Sequence, residues 1–170
     1  FKEKYGKCGA MISAVDLLKG IAVGPGMKVI EVDGADGTLE TNYEGKACAA
    51  VTALTEDGYD FVYVHLEAPD EMGHQGSLER KIKAIEYLDD RIISPIFERL
   101  SEADEDFKML ILPDHPTPIR VRTHTGNPVP YMIYDSTDLK EGVLTYSEKN
   151  AKETGKFFEE GYKLMDYFLS

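Results

Sequence analysis

The sequence holds no tryptophan and only two cysteines in 170 residues. Cys8 and Cys48 are too few, and too undistinguished in spacing, for a disulfide framework or a thiolate zinc site. They read as reduced thiols, and the expected compartment is the cytoplasm. No stretch approaches the roughly 18 consecutive apolar residues of a membrane span. Positive charge is also scarce, with 19 Lys and Arg against 31 Asp and Glu and a formal charge of −12. A nucleic-acid groove or an anionic membrane surface needs concentrated cations, so neither partner is expected. A small phosphorylated metabolite stays open, because bound metal ions can supply the charge that the side chains lack. The chain opens on Phe1 without an initiator methionine or a signal-peptide pattern, and so reads as a fragment of a longer protein.

The 42% of apolar residues is enough to fill one core. Short strand patterns occur at Ala10–Ser13, Lys28–Val32, Asp60–Leu66, Lys108–Leu112 and Val129–Tyr134. Asp60–Leu66 is the most continuous of them and suits a buried parallel strand. Helical patterns lie between, at Ala14–Ala22, at Glu44–Leu54 and over Lys149–Leu169, the last weakened by Gly155 and Gly161. The clearest runs from Leu78 to Leu100, where Leu78, Ile82, Ile85, Leu88, Ile92, Ile96 and Leu100 form one apolar stripe expected to face a sheet. Strands separated by helices predict crossovers and a mainly parallel sheet covered on both faces. Ligands in such folds gather beyond the carboxyl ends of the strands.

Two clusters fall at such ends. Asp60–Leu66 runs into Glu67-Ala-Pro-Asp70, and Lys108–Leu112 runs into Pro113-Asp114-His115. Asp70 and His74 are four residues apart, which puts both on one face if the segment turns helically. A carboxylate oxygen beside an imidazole nitrogen suits zinc or manganese. Asp114 and His115 are adjacent and would point apart in a regular strand, so only an irregular loop brings both to one ion. Pro113 and Pro116 supply that irregularity. His124 stands in Thr123-His124-Thr125, ahead of a Gly-Asn-Pro turn. Any one of these residues alone reads as a solvated loop side chain; their joint placement carries the reading. His65, inside the apolar run, reads as a satisfied core residue or a support to a ligand.

The motifs GAMISAVDLLKGIA, TNYEGKA, VHLEAPDEMGHQG, KIKAIEYLDDR, LPDHPTP and RTHTGNPVP run nearly end to end. At these residues the chain resembles the cofactor-independent phosphoglycerate mutases of the archaeal type, in the alkaline phosphatase superfamily, and within them a branch proposed to be homoserine kinases. The resemblance implies an α/β fold, a three-layer α/β/α sandwich with a mainly parallel sheet, alkaline-phosphatase-like but incomplete. Residues 1–170 would be the C-terminal part, without the N-terminal part and the inserted substrate domain. Two divalent ions are implied, manganese or zinc, with magnesium or cobalt as further choices. Carried over by motif, Asp70, His74 and His124 would hold one ion, and Asp114 and His115 the other. The family's remaining ligands, an Asp and the nucleophilic Ser, have no counterpart here. Glu71 is the fallback for Asp70, and Thr117 and Gln75 are candidate supports.

The activity implied is the glycolytic isomerisation of 3-phosphoglycerate to 2-phosphoglycerate through a phosphoserine, with the fragment alone inactive. Homoserine kinase activity with the same metal apparatus, and a non-catalytic metal-binding module, are the alternatives. Lys19 would match a lysine that neutralises the phosphoryl group; read from its helix alone, it is a solvent-facing lysine. An unpaired sheet edge left by an absent N-terminal part would invite self-association.

Overall fold

Gly9, Ala10, Met11 and Ile12 are all buried, which suits the middle of a sheet. In the computed structural model, which describes residues 1–170, they form β1 (Gly9–Ile12), preceded by the short α1 (Lys2–Tyr5). α2 (Asp16–Val23) leads to β2 (Lys28–Val29), and α3 (Tyr43–Thr55) leads to β3 (Phe61–Val64). The sheet order is β2-β1-β3, with both pairs parallel. β1 pairs Ala10 with Lys28 on one side and with Val62 on the other. Helical crossovers between consecutive strands produce this arrangement, as the sequence pattern predicts. The most apolar run, however, is not the central strand: β3 is an edge strand and only half-buried.

On α3 the inward side chains are Tyr43, Lys46, Ala47, Ala50, Val51 and Ala53. Helical spacing predicts Ala47, Cys48, Val51 and Leu54 inward; Cys48 is exposed instead. α4 (Ala68–Gln75) follows β3 directly, and α5 (Leu78–Leu88) follows α4.

The long helix expected over Leu78–Leu100 is divided. α5 ends at Leu88, a π turn occupies Asp89–Ile93, and α6 spans Ser94–Glu102. Pro95 has no N–H to donate to the Arg91 carbonyl, and the chain widens just before it, with the Ser94 N–H reaching back to the Asp89 carbonyl. The widening also divides the apolar stripe. Ile92, Ile96 and Leu100 are buried, whereas Leu78, Ile82 and Ile85 are exposed and Ala84 is the buried residue of α5.

These elements form one compact unit, residues 1–104 with 117–123; residues 105–116 with 124–170 form a second. In the second, β4 (Lys108–Ile111) and β5 (Met132–Asp135) pair antiparallel, Lys108 with Asp135 and Ile111 with Met132. This pair stands apart from the parallel set of β1, β2 and β3. The link between β4 and β5 contains Pro113, Pro116, Pro118, Pro128 and Pro130 and no helix. Without a helical crossover, the returning strand pairs antiparallel. The C-terminal helix pattern also divides, into α7 (Glu148–Glu153) and α8 (Lys163–Leu169), with Gly155 between them at φ 67°.

Candidate metal centre

α4 starts immediately beyond the carboxyl end of β3, with Glu67 at its N-cap and Pro69 in its first turn. One helical turn brings Asp70 and His74 together, with Asp70 Oδ2 3.3 Å from His74 Nε2. Each is held from the segment 117–123 of the same unit. Thr117 Oγ1 donates a short hydrogen bond to Asp70 Oδ1, and His74 Nδ1 lies 3.0 Å from the Arg122 carbonyl oxygen. The segment runs very close to α4: a Cβ on Gly73 would stand 2.5 Å from the Thr117 carbonyl oxygen. Lys81 Nζ donates to the same oxygen at 2.7 Å.

This geometry fits a bound cation. A carbonyl oxygen only accepts, so His74 carries its proton on Nδ1 and turns the Nε2 lone pair toward an Asp70 carboxylate oxygen. Two electron-rich atoms facing each other at 3.3 Å offer a cation two donors, one oxygen and one nitrogen. An imidazole fixed through its other nitrogen by a backbone carbonyl is the usual support of a metal-ligating histidine.

In the second unit Asp114 and His115 converge, although they are neighbours in the chain. The Asp114 Oδ1 accepts the His115 backbone N–H at 3.0 Å, and its Oδ2 lies 3.2 Å from His115 Nε2. The irregular, proline-flanked loop predicted beyond β4 provides this. His115 stacks on His124, with ring centroids 3.6 Å apart and the planes at 29°. The Thr125 N–H donates to the Pro116 carbonyl at 3.0 Å and keeps the two short segments side by side.

The other candidates are placed as follows. Lys19 is on α2, ion-paired with Glu31 at 2.8 Å, and the Glu31 carboxylate raises its ammonium above the ordinary lysine range. Gln75 accepts from Arg80 at 2.9 Å rather than from the Asp70–His74 pair. Glu71 is exposed. His65 lies just past β3, 3.4 Å from Ser13 Oγ, with its Nδ1 4.0 Å from Glu67 Oε1. Sequence reasoning missed the Arg122 carbonyl and Lys81. A backbone oxygen leaves no trace in residue type, so the first carried no signal. A buried lysine on α3, Lys46, did carry one: it shares a helix face with Tyr43, Ala47 and Ala50.

A parallel β-sheet with a carboxylate–imidazole pair just beyond the end of β3, and a second such pair just beyond β4, defines an α/β protein that carries the side chains of a candidate metal centre. Residues 1–169 match the model of the Metalloenzyme superfamily, and the chain belongs to that family. A 2,3-bisphosphoglycerate-independent phosphoglycerate mutase of Methanosarcina acetivorans is 58% identical over 154 residues, covering 89% of this chain and 38% of the relative. A probable enzyme of the same name from Geobacter sulfurreducens is 48% identical over 170 residues, covering 99% of this chain and 42% of the relative. Among solved structures, a Pyrococcus horikoshii protein superposes with a TM-score of 0.77 at 32% identity, covering 89% of this chain and 39% of that one. The chain thus spans about two-fifths of the length of the relatives it matches. No helix is long and apolar enough to cross a membrane.

Proposed function

We propose that the chain is the metal-binding portion of a 2,3-bisphosphoglycerate-independent phosphoglycerate mutase, an isomerase that moves a phosphoryl group from the 3- to the 2-hydroxyl of glycerate through a phosphoserine. The observation that supports this most is the Asp70–His74 pair, 3.3 Å apart and fixed on both outer sides by Thr117 and the Arg122 carbonyl. The names carried by relatives at 48–58% identity support the substrate.

In this reading, with ligands carried over from the motifs that the chain shares with the family, Asp70, His74 and His124 would hold one divalent ion, and Asp114 with His115 would contribute to a second. His124 follows Thr123 directly in the chain, two residues after the carbonyl that holds His74. Divalent cations supply charge neutralisation on the phosphoryl group and acidify a hydroxyl nucleophile. The chain's own residues prepare the ligands. Thr117 takes up one Asp70 oxygen and leaves the other facing His74, while the Arg122 carbonyl fixes the imidazole tautomer that presents Nε2. Manganese and zinc suit this mixed oxygen and nitrogen donor set best. Lys19, engaged by Glu31, is given no role in the transfer.

The test is the full protein assayed for conversion of 3- to 2-phosphoglycerate with manganese or zinc, beside ATP-dependent phosphorylation of homoserine. Mutase activity that is lost in Asp70→Ala supports the reading. Kinase activity alone transfers the site to the other branch, and activity in neither assay defeats both.

A further inference from the structure

Glu67, the residue from which α4 starts, is the meeting point of a polar set around the buried Lys46 that the proposed transfer does not use. Lys46 lies on α3 with its side chain among Tyr43, Ala47 and Ala50 and is 1% exposed. Burial lowers its ammonium below the ordinary lysine range, against the opposing pull of the Glu67 and Asp36 carboxylates. Burial likewise raises the Glu67 carboxyl, with Lys46 as the main opposing charge. Lys46 Nζ donates to the Asp36 carbonyl at 3.2 Å.

Asp36 belongs to a tightly bonded turn. Its Oδ1 accepts the Thr38 N–H and the Thr38 hydroxyl, both at 2.8 Å, and its own N–H donates to Thr41 Oγ1 at 2.9 Å. Gly37, the next residue, lies directly on the Glu67 carboxylate: a Cβ there would stand 2.7 Å from Oε2 and 3.0 Å from Cδ. The Glu67 backbone carbonyl in turn accepts the N–H of Asp70 at 2.8 Å and of Glu71 at 3.1 Å. An unbroken series of contacts therefore leads from the Lys46 ammonium to the backbone of Asp70. A buried charge is a costly device for stability alone, because an apolar side chain of similar volume commonly serves as well. Its direction is what distinguishes it: Lys46 attracts the carboxylate of the residue that opens the α4 helix.

We propose that Lys46 is a positioning residue, which acts through the Asp36–Thr41 turn and the Glu67 carboxylate to fix the first turn of α4 and thereby the mutual placement of Asp70 and His74. The proposal rests on the reading of those two residues as metal ligands. Two perturbations reach the device from opposite sides. Lys46→Met removes the attracting charge, and Gly37→Ala, at a position whose φ is not left-handed, pushes the Glu67 carboxylate away without altering any charge.

In the full protein, calorimetric titration with manganese should show affinity lower by about tenfold to a hundredfold in Lys46→Met and in Gly37→Ala, the range usual for groups that support metal ligands. Lys46→Met combined with Glu67→Gln should lose no more than either alone, since both interrupt one interaction. Amide exchange should quicken at Asp70 and Glu71 while the amides of β1 stay as protected as in the wild type. Wild-type affinity in both single variants, or exchange that rises uniformly through the chain, overturns the positioning role. Manganese binding by Asp70→Ala equal to that of the wild type would instead sink the ligand reading, and the exchange pattern still decides the proposal.

Discussion

Replacing Gly73 by alanine puts a methyl carbon 2.5 Å from the Thr117 carbonyl oxygen, 2.9 Å from Thr117 Cγ2 and 2.9 Å from Lys81 Nζ. The lysine end can swing away at little cost. The backbone oxygen cannot, because Thr117 is itself 4% exposed and bonded through its hydroxyl to Asp70. Relief therefore requires α4 and the segment around Thr117 to separate. Overpacking of a closely fitted contact costs about 1–3 kcal/mol. Separation also lengthens the charge-assisted bond from Thr117 to Asp70, and hydrogen bonds to charged groups contribute about 1.5–3 kcal/mol each. Part of the second cost duplicates the first, so a total of roughly 3 kcal/mol is expected, a fall in melting temperature of about 6–12 °C for a chain of this size. Thermal unfolding with and without manganese provides the assay. If Asp70 is a ligand as proposed, the loss should be larger with the metal present, because the bound state then needs Asp70 in place. Gly20→Ala is the internal control: it lies within α2, exposed, with no atom near the added methyl, and should stabilise by about 0.5–1 kcal/mol. A Gly73→Ala loss no greater than about 0.5 kcal/mol would show that the close approach of residues 117–123 to α4 does not exist in solution.

The divided stripe gives a second prediction. Ile92→Ala, at 3% exposure, should destabilise by about 2–5 kcal/mol and Ile82→Ala, at 49%, by much less, as read by denaturant unfolding. Metal titration of Asp70→Ala and Asp114→Ala separates the two pairs: loss of the stronger binding event is expected from the first and not from the second, and equal loss from both would contradict the division of ligands. Burial pushes the Tyr43 phenol up to about 12, from an ordinary value near 10. Between those values the unfolded chain releases this proton and the folded chain keeps it, so stability is full below about pH 10 and falls by roughly 2–3 kcal/mol as pH rises through 12. Tyr43→Phe should abolish that fall and cost nothing at neutral pH, because the hydroxyl is buried without a hydrogen-bond partner. Unfolding midpoints of both proteins at pH 8 and 11.5 make the comparison.

How much of this was legible from residue order depends on the range over which each feature is specified. The βαβ pattern around β1, β2 and β3 is written locally, in apolar runs punctuated by glycine and proline, and it reads correctly. The rank of the strands within the sheet is not local. Gly-Ala-Met-Ile is a weak strand by propensity, yet it takes the centre because small side chains pack from both faces, while Phe-Val-Tyr-Val goes to the edge. Periodicity likewise found the whole stripe from Leu78 to Leu100, but a period of 3.6 continues through a π turn only on paper. The single missing donor at Pro95 re-aims everything on one side of it.

The metal pairs show the same division at finer scale. Asp70 and His74 can be named from sequence because helical spacing and donor chemistry are properties of residue types. What gives the pair its defined geometry is not a property of any residue type: a backbone carbonyl at Arg122, a hydrogen atom in place of a methyl at Gly73, and a hydroxyl brought from Thr117. The carbonyl and the hydroxyl come from a segment more than 40 residues away in the chain. Lys46 is the intermediate case. A charged residue on an otherwise apolar helix face is a visible anomaly, and its consequence could be inferred only once Gly37 and Glu67 were seen to meet. A search for functional residues that begins from charge misplaced on an apolar face would therefore find the supports of a site, where a search for donor spacing finds its ligands.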